Sequence, residues 1–343
     1  MNEAALVDIA AALVAGGKGI LAMDESTATC NQRFASLAIP QTVEARRAWR
    51  ELIVGTPGLG EAISGVILFD ETLHQATRAG TPFGDAVVRA GMLVGIKVDG
   101  GARDLAGHPG EKITEGLDGL RGRLAAYFQL GARFAKWRAV ITVADGLPSL
   151  ACIEANAHAL ARYAALCQEA GLVPMVEPEV LMDGAHTMER CGEVTQQVLR
   201  TVVRELCTHG VLLEAVLLKP NMVLPGLHCN QQVSAQQVAQ ATLRCLLRTV
   251  PAAVAGITFL SGGQSGELAS ARLNAMNSGL DADPPWPLSF SFARAIQQPA
   301  MEIWRGQDAN LERAQLALRH RAACNRAARA GQYIAGMDSA RQT

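Results

Sequence analysis

Apolar residues along this chain follow two spacings. Short, nearly continuous apolar runs occur at residues 19–24, 63–70, 92–99, 133–143, 172–177, 214–219, 256–261 and 288–292. Runs of this length, ended by a charged or small polar residue, predict strands buried on both faces. Between them, residues 117–130, 151–170, 186–208 and 234–249 combine helix-forming composition with apolar residues at helical spacing. An amphipathic helix opens the chain, another covers roughly 42–54, and a last one covers 310–329. Eight strands alternating with helices predict an α/β fold, a (β/α)8 TIM barrel with extra N- and C-terminal helices. An open doubly wound sheet satisfies the same alternation, because strand number alone does not show closure. No repeat, linker or composition break divides the sequence. One domain over residues 1–343 is expected, with 337–343 as a short flexible tail.

Composition removes several classes of function. Hydrophobic residues make up 49% of the 343 and charged residues 18%, enough for a large core and too little charge for a disordered chain. The formal net charge is −1, from 31 basic and 32 acidic residues. No pervasive basic field points to nucleic acid or an anionic membrane, so anion binding must be local. The cysteines at 30, 152, 167, 191, 207, 229, 245 and 324 include no Cys-x-x-Cys pair, and reduced, mostly buried thiols in a cytoplasmic protein are expected. The histidines show no paired ligand spacing, so neither a metal nor another cofactor is expected. The opening segment carries Glu3 and Asp8 and lacks a basic start, which fits a helix better than a signal peptide. No stretch of about 18 apolar residues predicts a membrane span.

Chemistry collects at the strand ends. Asp24, Asp70, Lys97, Lys136, Glu177, Lys219 and Ser261 all fall at or near them. Burying so many ionisable groups on one rim is costly without a function, and that rim is where barrels carry active sites. Lys219 ends the run Ala215-Val216-Leu217-Leu218 and is followed by Pro220. In an apolar pocket a lysine loses hydration and its pKa falls; moving it from ~10.4 to about 7 corresponds to roughly 4–5 kcal/mol. The neutral amine can then attack a carbonyl and form a Schiff base. From this segment alone, a lysine snorkelling at a strand end is the commoner reading. Lys136 and Arg138 share one strand face, as do Glu177 and Glu179, and a salt-bridge network explains them equally well. Asp24 before Glu-Ser-Thr reads alone as a helix cap. The loop Ser261-Gly262-Gly263-Gln264-Ser265 is either a simple turn or a phosphate cradle before a helix.

Nine collinear segments narrow these alternatives: 17–26 (GKGILAMDES), 65–74 (GVILFDETLH), 95–100 (GIKVDG), 116–119 (GLDG), 134–138 (FAKWR), 173–181 (VPMVEPEVL), 218–225 (LKPNMVLP), 256–265 (GITFLSGGQS) and 289–297 (SFSFARAIQ). Together the chain resembles a class I, Schiff-base fructose-1,6-bisphosphate aldolase. The resemblance implies a metal-independent (β/α)8 barrel, a homotetramer, acting on phosphorylated ketoses and trioses. It implies that Lys219 forms the iminium, that Glu177 is the general acid/base, and that Lys136 helps keep the nucleophile unprotonated by like-charge repulsion. Asp24 would contact substrate hydroxyls and assist proton movement. Glu179 would position Lys136 or Arg138, with Arg138 in the substrate site. Ser261, Gly262, Gly263 and Arg294 would hold the C1 phosphate. Ser26, Thr29 and Lys97, with Arg33 nearby, would hold the C6 phosphate.

The chain departs from the family pattern in places. Ala28, Thr29, Gln32 and Arg33 stand where the family usually has Ser-Thr-Gly-Ser followed by Lys-Arg, which removes a cation near the C6 phosphate. Ala293 replaces a glycine. The last tyrosine is Tyr333 and no terminal tyrosine follows, so proton exchange at the enamine is expected to rely on Glu177 or another group. Two other readings stay open: a related Schiff-base lyase preferring another phosphosugar, and a non-catalytic phosphosugar-binding protein.

Overall fold

A computed structural model describes residues 2–278 and 283–339. Eight parallel strands close into a barrel in chain order: β1 Gly19–Ala22, β2 Ile63–Leu68, β3 Leu93–Lys97, β4 Phe134–Ile141, β5 Val173–Val180, β6 Leu217–Leu218, β7 Gly256–Phe259 and β8 Leu288–Phe292. β1 pairs with both β2 and β8, which excludes the open sheet. Helices surround the barrel and most begin where the sequence places a cap. Thr42, Ser149, Thr187 and Ser234 each accept a backbone N–H of the first turn. At Ser234 the Gln237 side chain returns the bond, a reciprocal arrangement that satisfies two otherwise orphaned donors.

Two features depart from the apolar pattern. The run 214–219 yields only a two-residue strand, preceded by a 3-10 turn at Leu213–Ala215. Pro220 removes the next ladder donor, and Asn221 ties the chain instead: its Oδ1 accepts from Val180 N at 3.0 Å. A two-stranded antiparallel hairpin, Gly101–Asp104 with Lys112–Glu115, follows β3 and was not anticipated. Its strands are short and mostly unburied, so they carry no apolar run to find.

Strand alternation explains how the barrel is filled. Ile20, Ala22, Ile67, Phe134, Met175 and Leu217 form one apolar cluster with Leu6, Ala10 and Leu13 of the helix Glu3–Leu13. These are the inward positions, and the opening helix stoppers that end of the barrel. Leu21, Val66, Leu68, Trp137, Val176 and Leu218, the alternate positions, belong to the larger core between strands and helices. Two residues further along the same inward faces stand Asp24 after Ala22, Lys136 after Phe134, Glu177 after Met175 and Lys219 after Leu217. The charged group is therefore one layer above an apolar plug. The helix Leu150–Glu169 braces the two strands beneath it: Tyr163 Oη donates to Ala135 O at 2.6 Å and lies 3.2 Å from Met175 O.

Glycine is required where the plug is tightest. A Cβ on Gly95 would lie 2.2 Å from the Phe134 ring, whereas one on Gly122, in the exposed face of the helix Leu120–Gln129, meets nothing within 4 Å. Gly95→Ala is expected to lower the free energy of unfolding by about 1–3 kcal/mol through overpacking. Gly122→Ala is expected to raise it by roughly 0.5–1 kcal/mol. Equilibrium urea unfolding of the two variants checks both signs.

Candidate active site

The four inward charged residues form one contact chain. Lys136 Nζ lies 2.7 Å from Asp24 Oδ2 and 3.2 Å from Glu177 Oε2, and Lys219 Nζ lies 3.0 Å from Glu177 Oε1. All four are buried, none more than 7% exposed. Two cations and two anions cancel formally, which is how such charges are tolerated away from water. The pocket around Lys219 is thus not the apolar one its own strand suggested, because Glu177 faces it directly. Asp24 is not a helix cap either. Ser26 caps the helix Thr27–Ser36, its Oγ accepting from Thr29 N at 3.3 Å, and Asp24 is left free for Lys136.

The electrostatics follow from this arrangement. Burial pushes the Asp24 carboxyl up, but Lys136 and Lys219 outweigh it and hold the pKa at about 2. Glu177 is also lowered: burial opposes ionisation, and Lys136, Lys219 and Arg138 overcome it. Lys136 is raised, since Asp24, Glu177 and Asp99 more than offset its desolvation. Glu177 Oε2 touches Lys136 without a directed hydrogen bond, which leaves a lone pair free for another proton.

Above the cluster opens a cleft of about 1060 Å³ whose lining includes Asp24, Lys97, Lys136, Arg138, Glu177 and Lys219. Residues 5–343 match the family described as fructose-bisphosphate aldolase class-I. A probable fructose-bisphosphate aldolase class 1 of Xanthomonas axonopodis pv. citri is 53% identical over 334 residues, covering 97% of this chain and 99% of the relative. The cytosolic fructose-bisphosphate aldolase 4 of Arabidopsis thaliana is 50% identical over 328 residues, covering 96% of this chain and 83% of the relative. A solved fructose-bisphosphate aldolase of Plasmodium falciparum superposes with a TM-score of 0.95 at 46% identity, covering 97% of this chain and 96% of that one. The chain belongs to the class I fructose-bisphosphate aldolase family. It is a carbon–carbon lyase that interconverts fructose 1,6-bisphosphate with dihydroxyacetone phosphate and glyceraldehyde 3-phosphate, a step of glycolysis.

The remaining expected residues of this aldolase fall into three groups. Arg138 donates from Nε to Glu179, so these two strand neighbours of the charged layer hold each other. In the loop after β7, Ser261 is buried, Gly262 and Gly263 have φ of +52° and +82°, and Arg294 Nη2 lies 3.9 Å from where a Gly263 Cβ would be. Ala293 has φ −107° and ψ −92°, so the alanine in the glycine position stays out of the left-handed region. Ser261, Gly262, Gly263 and Arg294 are not among the residues that line the cleft, whereas Ser26 and Thr29 line it, their hydroxyls 3.0 Å apart, and Lys97 lines it while bonded to Asp99. Arg33 does not line the cleft. Its guanidinium is held by Glu25 and by the Gln298 amide oxygen at 3.0 Å. Tyr333 is also away from the cleft lining, and its hydroxyl donates to Asp338. Of the tail 337–343, residues 337–339 belong to a short helix, Gly336–Ser339, and 340–343 lie outside the described residues.

Sequence reasoning missed Asp99, Asn221 and Arg103. Asp99 Oδ2 accepts from Arg138 N at 3.2 Å and Oδ1 from Gly101 N at 3.1 Å, while also holding Lys97, so it joins the ends of β3 and β4. Asn221 anchors the end of β6 next to Lys219. The motifs GIKVDG and LKPN carried both residues, but the signal for pinning a strand end lies in the fold. Arg103 reaches the cleft from the unforeseen hairpin. None of the eight cysteines is in a disulfide among the described residues, and six of them are buried. Among the described residues no helix is long and apolar enough to cross a membrane.

Because the folded pKa of Asp24 lies below its unfolded value, its contribution to stability is present above about pH 4. It is lost as pH falls toward about 2. The shift corresponds to about 2 kcal/mol. Asp24→Asn is therefore expected to show a shallower loss of unfolding free energy between pH 5 and 3 than the unmodified chain, as measured by urea unfolding at each pH.

Proposed function

We propose that the reaction runs through a Schiff base on Lys219, without a metal. The observation that carries this reading is the buried Lys219 ammonium, 3.0 Å from the Glu177 carboxylate at the floor of the cleft. Glu177 takes the Lys219 proton, and the free amine attacks the C2 carbonyl of the ketose. The carbinolamine loses its oxygen as water, the proton coming back from Glu177, and the iminium remains. Breaking the C3–C4 bond sends its electron pair into the iminium and gives an enamine. The C4 hydroxyl proton leaves to a carboxylate, Glu177 or Asp24, and the triose aldehyde departs. Protonation of the enamine at C3 by the carboxyl group that took that proton, and hydrolysis of the iminium, release dihydroxyacetone phosphate. Lys136 stays cationic throughout and offsets charge on both carboxylates.

The C1 phosphate is assigned to Ser261, Gly262, Gly263 and Arg294. There, backbone N–H groups before the helix Gly266–Asn277 favour an anion and the guanidinium can bind it bidentately. The C6 phosphate is assigned to Ser26, Thr29 and Lys97. A second reading, preference for a ketose monophosphate, draws on one observation: Arg33 is occupied by Glu25, and Gln32 replaces a cation. The ratio of kcat/KM for fructose 1,6-bisphosphate to that for fructose 1-phosphate separates the two, a ratio near one favouring the second. A homotetramer in the cytoplasm, forming one (β/α)8 domain per chain, completes the proposal. It is supported by the family resemblance and by the plant relatives named as cytosolic.

Borohydride reduction in the presence of dihydroxyacetone phosphate and EDTA tests the covalent step. The expected result is one adduct mapped to Lys219 by mass spectrometry; no adduct, or one on a surface lysine, would overturn the proposal. Glu177→Gln is expected to keep a trappable amine while lowering kcat by about 10²–10⁴-fold, as general acid/base loss does. Steady-state cleavage assays read that change.

A further inference from the structure

A second cluster of chemistry-bearing side chains lies outside the reaction cleft. His158 comes from the helix Leu150–Glu169, Glu205 from the last turn of the helix Met188–Thr208, and His209 caps that helix. Their ligand atoms all lie within 4.8 Å of one another. His158 Nδ1 is 3.4 Å and His209 Nδ1 is 3.9 Å from the same oxygen, Glu205 Oε2. A tetrahedral ion with bonds of about 2.0–2.1 Å needs its ligands about 3.3–3.5 Å apart. The His158 separation of 3.4 Å matches such an edge, and His209, at 3.9 Å, must close by about 0.4 Å to do so. The imidazoles meet edge to face with centroids 4.9 Å apart, which leaves the nitrogens convergent and does not stack the rings.

We propose that His158, Glu205 and His209 bind a divalent transition ion, with zinc the best match to two imidazoles and a carboxylate. The surroundings suit a site of moderate affinity. Arg204 Nη2 lies 3.3 Å from Glu205 Oε1 and 3.6 Å from Glu154 Oε1, so it engages the other carboxylate oxygen and leaves Oε2 to the ion. His209 Nδ1 is 2.8 Å from the Glu205 carbonyl, which can only accept, so in the neutral ring the proton is on Nδ1. The ion takes the place of that proton on Nδ1, and the ring proton moves to Nε2. His209 also lines a neighbouring cleft of about 430 Å³ together with Arg121 and Arg162. Glu205 and His209 are one helical turn apart and the third ligand comes from another helix, so no sequence spacing marks the set.

An ion here would cross-link two helices that pack on the barrel, one of which clasps β4 and β5 through Tyr163. The site is separate from the proposed covalent chemistry and does not depend on it. The test uses the full chain after treatment with chelator, titrated with zinc chloride by isothermal calorimetry and followed by thermal melting. The unmodified chain is expected to bind one more zinc ion than His158→Ala/His209→Ala, at micromolar concentration, and to melt a few degrees higher with zinc. His158→Gln, a change at a half-exposed position, should lose most of that difference even if the double variant folds poorly. A second grouping, His320, Cys324 and Asp338, can also draw zinc, so Cys324→Ser must retain the effect. Equal binding and equal thermal shift in the unmodified chain and His158→Gln, or loss of both only in Cys324→Ser, would overturn the proposal. Activity before and after chelation should be the same.

Discussion

The Lys136 ammonium touches two buried carboxylates at once, Asp24 at 2.7 Å and Glu177 at 3.2 Å, and the rest of the site is arranged around that contact. An isolated carboxylate at this depth would be neutral, because desolvation favours the protonated form. With Lys136 on one side and Lys219 on the other, both acids are ionised instead. The apolar layer beneath, from Ile20, Phe134, Met175 and Leu217, makes water a poor substitute for these partners. Removing Lys136 would leave two anions facing one cation, a larger disturbance than losing any surface pair.

This dependence connects the sequence to the reaction through the twofold period of the strands. Phe134–Lys136, Met175–Glu177 and Leu217–Lys219 are each an apolar residue followed two positions later by a charge. The barrel stagger sets the charges side by side, with Lys97 opposite Lys136 and Arg138 opposite Glu177 in the ladder. The fold therefore assembles a charge-balanced floor from separate strands, each of which carries only one or two ionisable residues. Neutrality also allows a proton to move between Lys219 and Glu177 without building net charge in a buried place, which suits reversible bond cleavage.

The barrel was legible because eight apolar runs and their intervening helical segments are strong, repeated signals. The strand-end charges were legible for the same reason. The lost detail is of other kinds. β6 is two residues long because Pro220 and Asn221 end the ladder, a consequence of tertiary pairing that the apolar run 214–219 does not show. The hairpin after β3 has short, mostly unburied strands and no hydrophobic pattern. Arg33 stands in sequence close to Ser26 and Thr29, yet Glu25 and the glutamines of the helix Arg294–Trp304 draw it elsewhere. Sequence proximity located the wall of the cleft but not the direction of that side chain.

The most direct test of the charge-balanced floor is the ionisation of its carboxylates, followed by carbon-13 NMR of selectively labelled aspartate and glutamate, with Asp24→Asn and Glu177→Gln used for assignment. Both midpoints should lie below the ordinary values for their side chains, with Asp24 holding its charge down to about pH 2 or the lowest pH at which the chain stays folded. A midpoint for either group above the ordinary carboxylate range would mean that desolvation outweighs the lysines. The floor would then not be held together by charge compensation.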